Sequence, residues 1–444
     1  MAIPHVSSTP TLEQQDGGAV VVVDPISTGA KVASELVERG TDIICVWSEG
    51  CPEALRAHVG DTRVAFVGTV EHRGDLAVTV KELRELGTRL QDVICGCETG
   101  VEFADELSEA LGLRTNGTKL SKLRRNKYLQ AEAARADGLV VGAQALAKTQ
   151  ADVEAFLAEH KPEPFKLVVK PVDGAGSEGV HICDSPDAVR AAFASVQGSV
   201  TCLGHTASEV LLMEYLGGDE YVVDTVSRDG VHKCVAIWKY DKRRMNGAEV
   251  VYFGTKLLRV DDPREPRLGE MAAYALKLLG TLGIGHGAAH TELKVGARGP
   301  VLIEVNCRTH GGDGCWAPIA QRCLGYTQVT ALCDAYLDGA AFAALPALPR
   351  AVHAYGAQVD LRSAVEGTLS NVDHAALDRI RAVPSFIGEF LPAYLTVGGA
   401  ITKTVDVLTV HGEFNLAHAD EAVLRHDYDT VQSIIDGGLF EVSA

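Results

Sequence analysis

The sequence predicts an α/β (α+β) protein, built as an open parallel sheet followed by a smaller α/β unit and a larger unit of long strands. Three observations carry this. Apolar strands alternate with amphipathic helices over residues 18–117, the layout of β-α-β units, whose strands must run parallel. Short strands then bracket a glycine-rich turn within residues 118–216. Longer strands joined by short turns follow over residues 217–345.

The elements run as follows. Residues 1–17, with Pro, Ser, Thr and Gln, are expected to be a flexible tail. In GGAVVVVDPISTGAKVASELVERGTDIICVWSE, a strand over 20–23 leads to a turn with Asp24, Pro25 and Gly29. A helix over about 30–38 and a strand over 43–47 complete the unit. RVAFVG, LAVTVKELRELG and DVICGCETGVEFADELSEALGL repeat the pattern. The glycines after the first strand do not spell G-x-G-x-x-G, so no nicotinamide dinucleotide site is expected. A basic helical stretch, residues 118–139, opens the second unit. That unit continues with the helix ADVEAFLAEH and the strands FKLVVKPV, GVHIC and EVLLMEY. The third unit has a helix over 269–280 and the strand GPVLIEVN. Residues 346–444 read as short strands and turns, an extension packed on the third unit.

Composition limits the function. The 444 residues are 46% hydrophobic, enough for several buried cores, and carry a formal net charge of −18. Such a chain is not expected to bind nucleic acid or an anionic membrane, which need clustered cations. No apolar run reaches 18 residues, so no membrane span is expected. The N-terminus lacks a charged stretch followed by an apolar one, so no secretory signal is expected. The 11 cysteines form no C-x-x-C pair; Cys95 and Cys97 make only a C-x-C. They read as reduced, buried residues of a cytoplasmic protein.

Chemistry concentrates in four places. In LVVKPVDGAGSEGV a buried strand delivers Lys170 to a turn with Gly174, Gly176, Ser177 and Gly179. Glycine backbone can approach phosphate oxygens, and the lysine adds a point charge. In LLMEYLGGDEY, the junction Glu214-Tyr215-Leu216 offers backbone groups to an adenine edge, and Glu220 a carboxylate to ribose hydroxyls. HTELKV and LIEVN read as adjacent strands with Glu292 and Glu304 at comparable places, and Asn306 shares the face of Glu304. Two carboxylates and an amide are hard oxygen ligands suited to Mg²⁺; a salt bridge to Lys294 is the structural alternative. Arg308 follows in register, able to clamp a phosphoryl group or an oxyanion. Last, Lys242, Arg243 and Arg244 form a dense cationic stretch between strands, either a mobile loop over an anion or a solvated hairpin tip.

The order of these signals resembles the ATP-grasp superfamily over about residues 116–314. RRNKYLQAEAARADGL, GAAHTEL and EVNCRTHGG look most like its L-amino-acid ligase branch. The resemblance implies an ATP-grasp fold: a Rossmann-like domain over 18–117, a lid over 118–216, and a large mixed-sheet subdomain over 217–345. It implies Lys127 and Lys170 as nucleotide lysines, with Gly176 and Ser177 in the loop over the phosphates. Glu214, Tyr215 and Leu216 match the adenine linker and Glu220 the ribose carboxylate. Glu292, Glu304 and Asn306 match the magnesium ligands, with Mn²⁺ as a substitute. Arg308 matches the arginine beside the acyl phosphate, and His290 is similar to a histidine near the substrate. Arg308, Gly311, Gly312 and Arg243 are the expected substrate contacts; Gly312 stands where some relatives carry a bulky residue. The implied activity is ATP-dependent joining of a small-molecule carboxylate, such as an amino acid, to an amine. It would pass through an acyl phosphate and release ADP and phosphate. A homodimer is a further family expectation. Two other readings are an ATP-grasp carboxylase using bicarbonate and a nucleotide-binding regulator without catalysis.

Overall fold

The computed structural model describes residues 18–56, 64–174, 176, 178–201, 204, 206–260, 262–349 and 352–443. The expected tail, residues 1–17, and Ser177 lie outside them.

The N-terminal strands Ala19–Val23, Ile43–Trp47, Gly68–Glu71 and Leu90–Cys95 form one parallel sheet. Its spatial order is third, second, first, fourth. Val20 to Val23 are fully buried because helices cover both faces. The helix Thr28–Glu38 approaches the strand ends closely. A Cβ on Gly29 would lie 2.4 Å from the Gly96 carbonyl oxygen, so this contact demands glycine.

A second sheet is antiparallel, ordered Gln144–Ala147, Val210–Glu214, Leu167–Pro171, His181–Cys183. Helices Gln150–Glu159 and Pro186–Val196 bury Val153, Phe156, Val189 and Phe193 against it. Thr149 and Ser185 cap their N-termini. The basic stretch is broken in two, a 3₁₀ turn Ser121–Arg124 and a helix Lys127–Ala136, because Asn126 caps the latter.

The third sheet has eight strands, all pairing antiparallel. Its order begins Gly299–Asn306, Gly287–Gly296, Glu220–Arg228, Val231–Met245, Ala248–Leu257. Strand Glu220–Arg228 is buried on both faces. Tyr221 and Val223 meet the helix Leu268–Thr281, and Val222 and Val226 meet helices Ala317–Leu324 and Gln328–Leu337.

Two expectations are corrected. Of the two readings of the cationic stretch the mobile loop fails and the hairpin holds: it is the end of the long strand Val231–Met245. It turns at Asn246 and Gly247, both at positive φ, as a tight hairpin requires. The last hundred residues are more than short strands and turns. Tyr355–Asp360, Glu413–His418 and Phe386–Phe390 complete the eight-stranded sheet. The 16-residue helix Glu421–Asp436 covers them through Leu424, Tyr428, Val431 and Ile435.

Candidate active site

The three sheets enclose a cavity of about 880 Å³. Its lining includes Lys127, Lys170, Gly176, Glu214, Tyr215, Leu216, Glu220, His290, Glu292, Glu304, Asn306, Arg308, Gly311 and Gly312. Folding thus gathers residues up to 185 positions apart onto one wall.

The hairpin Gly287–Gly296/Gly299–Asn306 sets the centre. Glu292 and Glu304 are direct cross-strand partners, and His290 faces Asn306. Glu304 is 14% exposed at its side chain; its Oε2 lies 2.7 Å from Lys127 Nζ. Burial alone would raise its pKa, but Lys127 and Lys170 hold it down to about 2. Asn306 donates from Nδ2 to Glu304 Oε1 at 3.4 Å. Two carboxylates and an amide, all hard oxygen donors, fit a magnesium ion. Lys294 does not neutralise this pair; it turns to Glu220 at 3.4 Å and donates to the Gly218 carbonyl at 3.0 Å.

Lys127 also donates to the Gly174 carbonyl at 2.6 Å, tying the glycine turn to the hairpin. Lys170 ends the strand Leu167–Pro171, buried to 6% exposure, and burial lowers its pKa. Val168, Met213, Leu216 and Ile303 make an apolar slot between the second and third sheets. Tyr215 stands at its edge with Lys166 Nζ 4.3 Å above the ring. Glu214 is held at 2.6 Å by Arg298 and accepts from the Ala143 N–H. Glu220 is buried and pairs with Lys242 and Lys294; burial opposes its charge, but the two lysines keep its pKa low.

Arg308 stands just past the strand end. Its Nε lies 3.0 Å from Glu98 Oε2, and Glu98 is itself paired with Arg125 at 2.5 Å. Glu98 opens the turn after the last parallel strand, so the N-terminal domain holds the arginine in place. Arg243, expected at the substrate, is not on the cavity wall. It pairs with Asp241 at 2.6 Å and lies over Phe253. Alternation along the strand turns Lys242 and Arg244 to the cavity instead.

Behind His290 lies a group that sequence reading missed. Asp224, fully buried, has Oδ1 3.0 Å from His290 Nδ1 and Oδ2 3.0 Å from His310 Nδ1. Trp238 Nε1 donates to the same Oδ2 at 2.7 Å. Burial disfavours charge on both histidines. For His290, hydrogen bonds to Asp224 and Glu292 prevail and raise its pKa to about 9. For His310, burial prevails over Asp224, and its pKa falls to about 4. The available signal was Asp224 itself, a lone carboxylate in the apolar run YVVDTV. Glu98 also went unread, although the carboxyl ends of parallel strands are where such sheets place ligands.

One cavity thus holds a pair of buried lysines, an apolar slot and a carboxylate pair on one hairpin. Residues 163–316 match the ATP-grasp domain family. Dapdiamide A synthase of Enterobacter agglomerans is 30% identical over 327 residues, 73% of this chain and 74% of that protein. The L-amino acid ligase of Bacillus licheniformis superposes with a TM-score of 0.73 at 16% identity, covering 97% of this chain and 100% of the other. An N5-carboxyaminoimidazole synthase of Aspergillus clavatus, solved with ADP, gives 0.66 at 13% identity over 95% of this chain and 99% of its own. The chain belongs to the ATP-grasp family, as a carboxylate–amine ligase that binds ATP and forms C–N bonds. Among the described residues, no helix is long and apolar enough to cross a membrane.

Proposed function

We propose that the enzyme activates an amino acid or amino-acid-like carboxylate with ATP and joins it to the amine of a second such substrate. The intermediate is an acyl phosphate, and ADP and phosphate are the products. One observation carries the reading: Glu292 and Glu304 face each other across one hairpin, with Lys127, Lys170 and Arg308 around the same cavity. The names of the two amide-forming relatives agree with it.

The apolar slot takes adenine, Glu220 the ribose, and Lys127 and Lys170 the phosphates. Glu292, Glu304 and Asn306 would hold Mg²⁺, which supplies charge neutralisation at the phosphates. The chain's part is positioning and electrostatics. Lys170 and the backbone of Gly176 draw the γ-phosphate toward the attacking carboxylate. Arg308, fixed by Glu98, faces the acyl group and stabilises the oxyanion formed when the amine adds. Gly311 and Gly312 leave room beside it for a substrate side chain. The reactive acyl phosphate must be kept from water, so the segment carrying Gly176 is expected to close over it. The ten described cysteines are all free, which supports a reducing, cytoplasmic setting.

The test is phosphate release from ATP and Mg²⁺, screened across amino acids singly and in pairs, with mass spectrometry of the products. A product about 18 mass units below the sum of two substrates, formed with ADP, is the expected result. Turnover dependent on bicarbonate would replace this reading with a carboxylase; nucleotide binding without any turnover would replace it with a regulator.

A further inference from the structure

The proposed reaction leaves the proton of the attacking amine without an acceptor. We propose that His310 is the general base that takes it, and that Asp224 is the residue that positions His310. The inference rests on the acyl-phosphate reading above.

His310 follows Arg308 by two residues and lines the same cavity wall. Its ring is fixed from several sides. Nδ1 lies 3.0 Å from Asp224 Oδ2, and the ring stacks on Trp316 with centroids 5.1 Å apart and planes 23° apart. Its backbone N–H donates to Gln328 Oε1 at 2.7 Å. Asp224 receives Trp238 and both histidines, so it can only accept, and it draws the imidazole proton to Nδ1. That leaves the lone pair on Nε2, which has no hydrogen-bond partner among the described residues. A carboxylate behind a histidine, with the far nitrogen open to the reacting atoms, is the arrangement that makes imidazole a base in hydrolases.

His290, the other candidate, is committed at both nitrogens. Nδ1 is held by Asp224 at 3.0 Å, and Nε2 lies 3.3 Å from Glu292 and 3.4 Å from the Tyr240 hydroxyl. One carboxylate therefore holds two imidazoles, and of the two only His310, on the cavity wall, keeps a nitrogen without a hydrogen-bond partner among the described residues. The low pKa of His310 keeps that nitrogen unprotonated near neutrality. In the step, the amine nitrogen bonds to the acyl carbon, and the carbon–oxygen bond to phosphate breaks with its electron pair leaving on phosphate. The proton passes from nitrogen to Nε2, then to the departing phosphate or water. The nitrogen of the tetrahedral adduct is a stronger acid than a free ammonium, so a weakly basic imidazole suffices.

Hydroxylamine separates the two halves of the reaction, because it captures an acyl phosphate as a hydroxamate without help from a base. His310→Asn and His310→Ala are compared with the wild type in ATP, Mg²⁺ and a mixture of the twenty common amino acids, with and without hydroxylamine. The ratio of amide to hydroxamate is expected to fall about 10²-fold in both variants, the usual contribution of a general base. Asp224→Asn, of equal volume but favouring the wrong tautomer, is expected to lower the same ratio. Parallel loss of both products would mean that these residues only maintain the site, and an unchanged ratio would mean that they take no proton; either overturns the assignment. A wild type that forms neither product would overturn the acyl-phosphate reading beneath it.

Discussion

Glu304 is half-buried between two lysines, and each charge there depends on the others. Removing the carboxylate leaves Lys127 and Lys170 facing each other with less compensation, which for a buried pair costs about 3–5 kcal/mol. Glu304→Ala is expected to abolish amide formation while circular dichroism still reports a folded chain. Near-normal turnover in that variant would remove its role as a metal holder. Lys170 has a simpler task under the proposed function, a single buried cation on the cavity wall to meet the phosphates. Lys170→Ala should raise the KM for ATP at least about tenfold, the effect of losing one charged contact of about 1.5–3 kcal/mol; an unchanged KM would refute the assignment.

At the level of elements, a pleat and a turn decide which side chains count. Lys242 and Arg243 are neighbours in sequence but face opposite sides of one strand. Arg243→Ala should leave kcat/KM within about twofold, since its exposed pair with Asp241 is worth under about 1 kcal/mol. Lys242→Ala, which leaves buried Glu220 with Lys294 as its one remaining lysine, should weaken ATP binding; equal effects would mean that the strand does not present Lys242 as described. The glycine turn is similarly specific. Gly176 has φ +66°, and a Cβ there would come within 2.6 Å of Val407 Cγ1. Gly176→Ala carries roughly 1–2 kcal/mol of backbone strain as well as that overlap. Its KM for ATP should rise, and Val407→Ala in the same chain should restore part of the loss, as steady-state kinetics would report.

Across the whole molecule, the last hundred residues are joined by hydrogen bonds to the sheet that carries the site, and they bring the carboxylates of Asp360 and Glu413 to the cavity. Asp360 is 4% exposed. Burial lifts its pKa from 3.8 to about 6, against one hydrogen bond from Gln358. A carboxyl whose folded pKa is raised binds its proton more tightly when folded. Its contribution to stability is therefore full below about pH 4 and is lost as pH rises through about 6. Asp360→Asn should raise the melting temperature by several degrees at pH 7.5, for a cost of roughly 3 kcal/mol relieved, and change it little at pH 4. A shift of equal size at both pH values would show that Asp360 does not carry the pH dependence.

Strand and helix placement was largely legible in the sequence, because each element announces its own period. The strand expected at 43–47 is found as Ile43–Trp47, and the helix expected at 269–280 as Leu268–Thr281. The facing of Glu304 and Asn306 followed from alternation alone, since both sit on one strand two residues apart. The helix Glu421–Asp436 went unread although its apolar spacing is helical, and the cationic stretch was left open between a loop and a hairpin although its residues alternate. What the sequence by itself determined is local: the order of elements, and which residue types stand at strand ends where chemistry is done. Only the tertiary structure decided the rest. Pairing set Glu292 opposite Glu304, the N-terminal domain supplied Glu98 to Arg308, and burial assigned Asp224 to two histidines at once. These are contacts between distant segments, whose energies depend on desolvation and on partners that no local pattern of residues records.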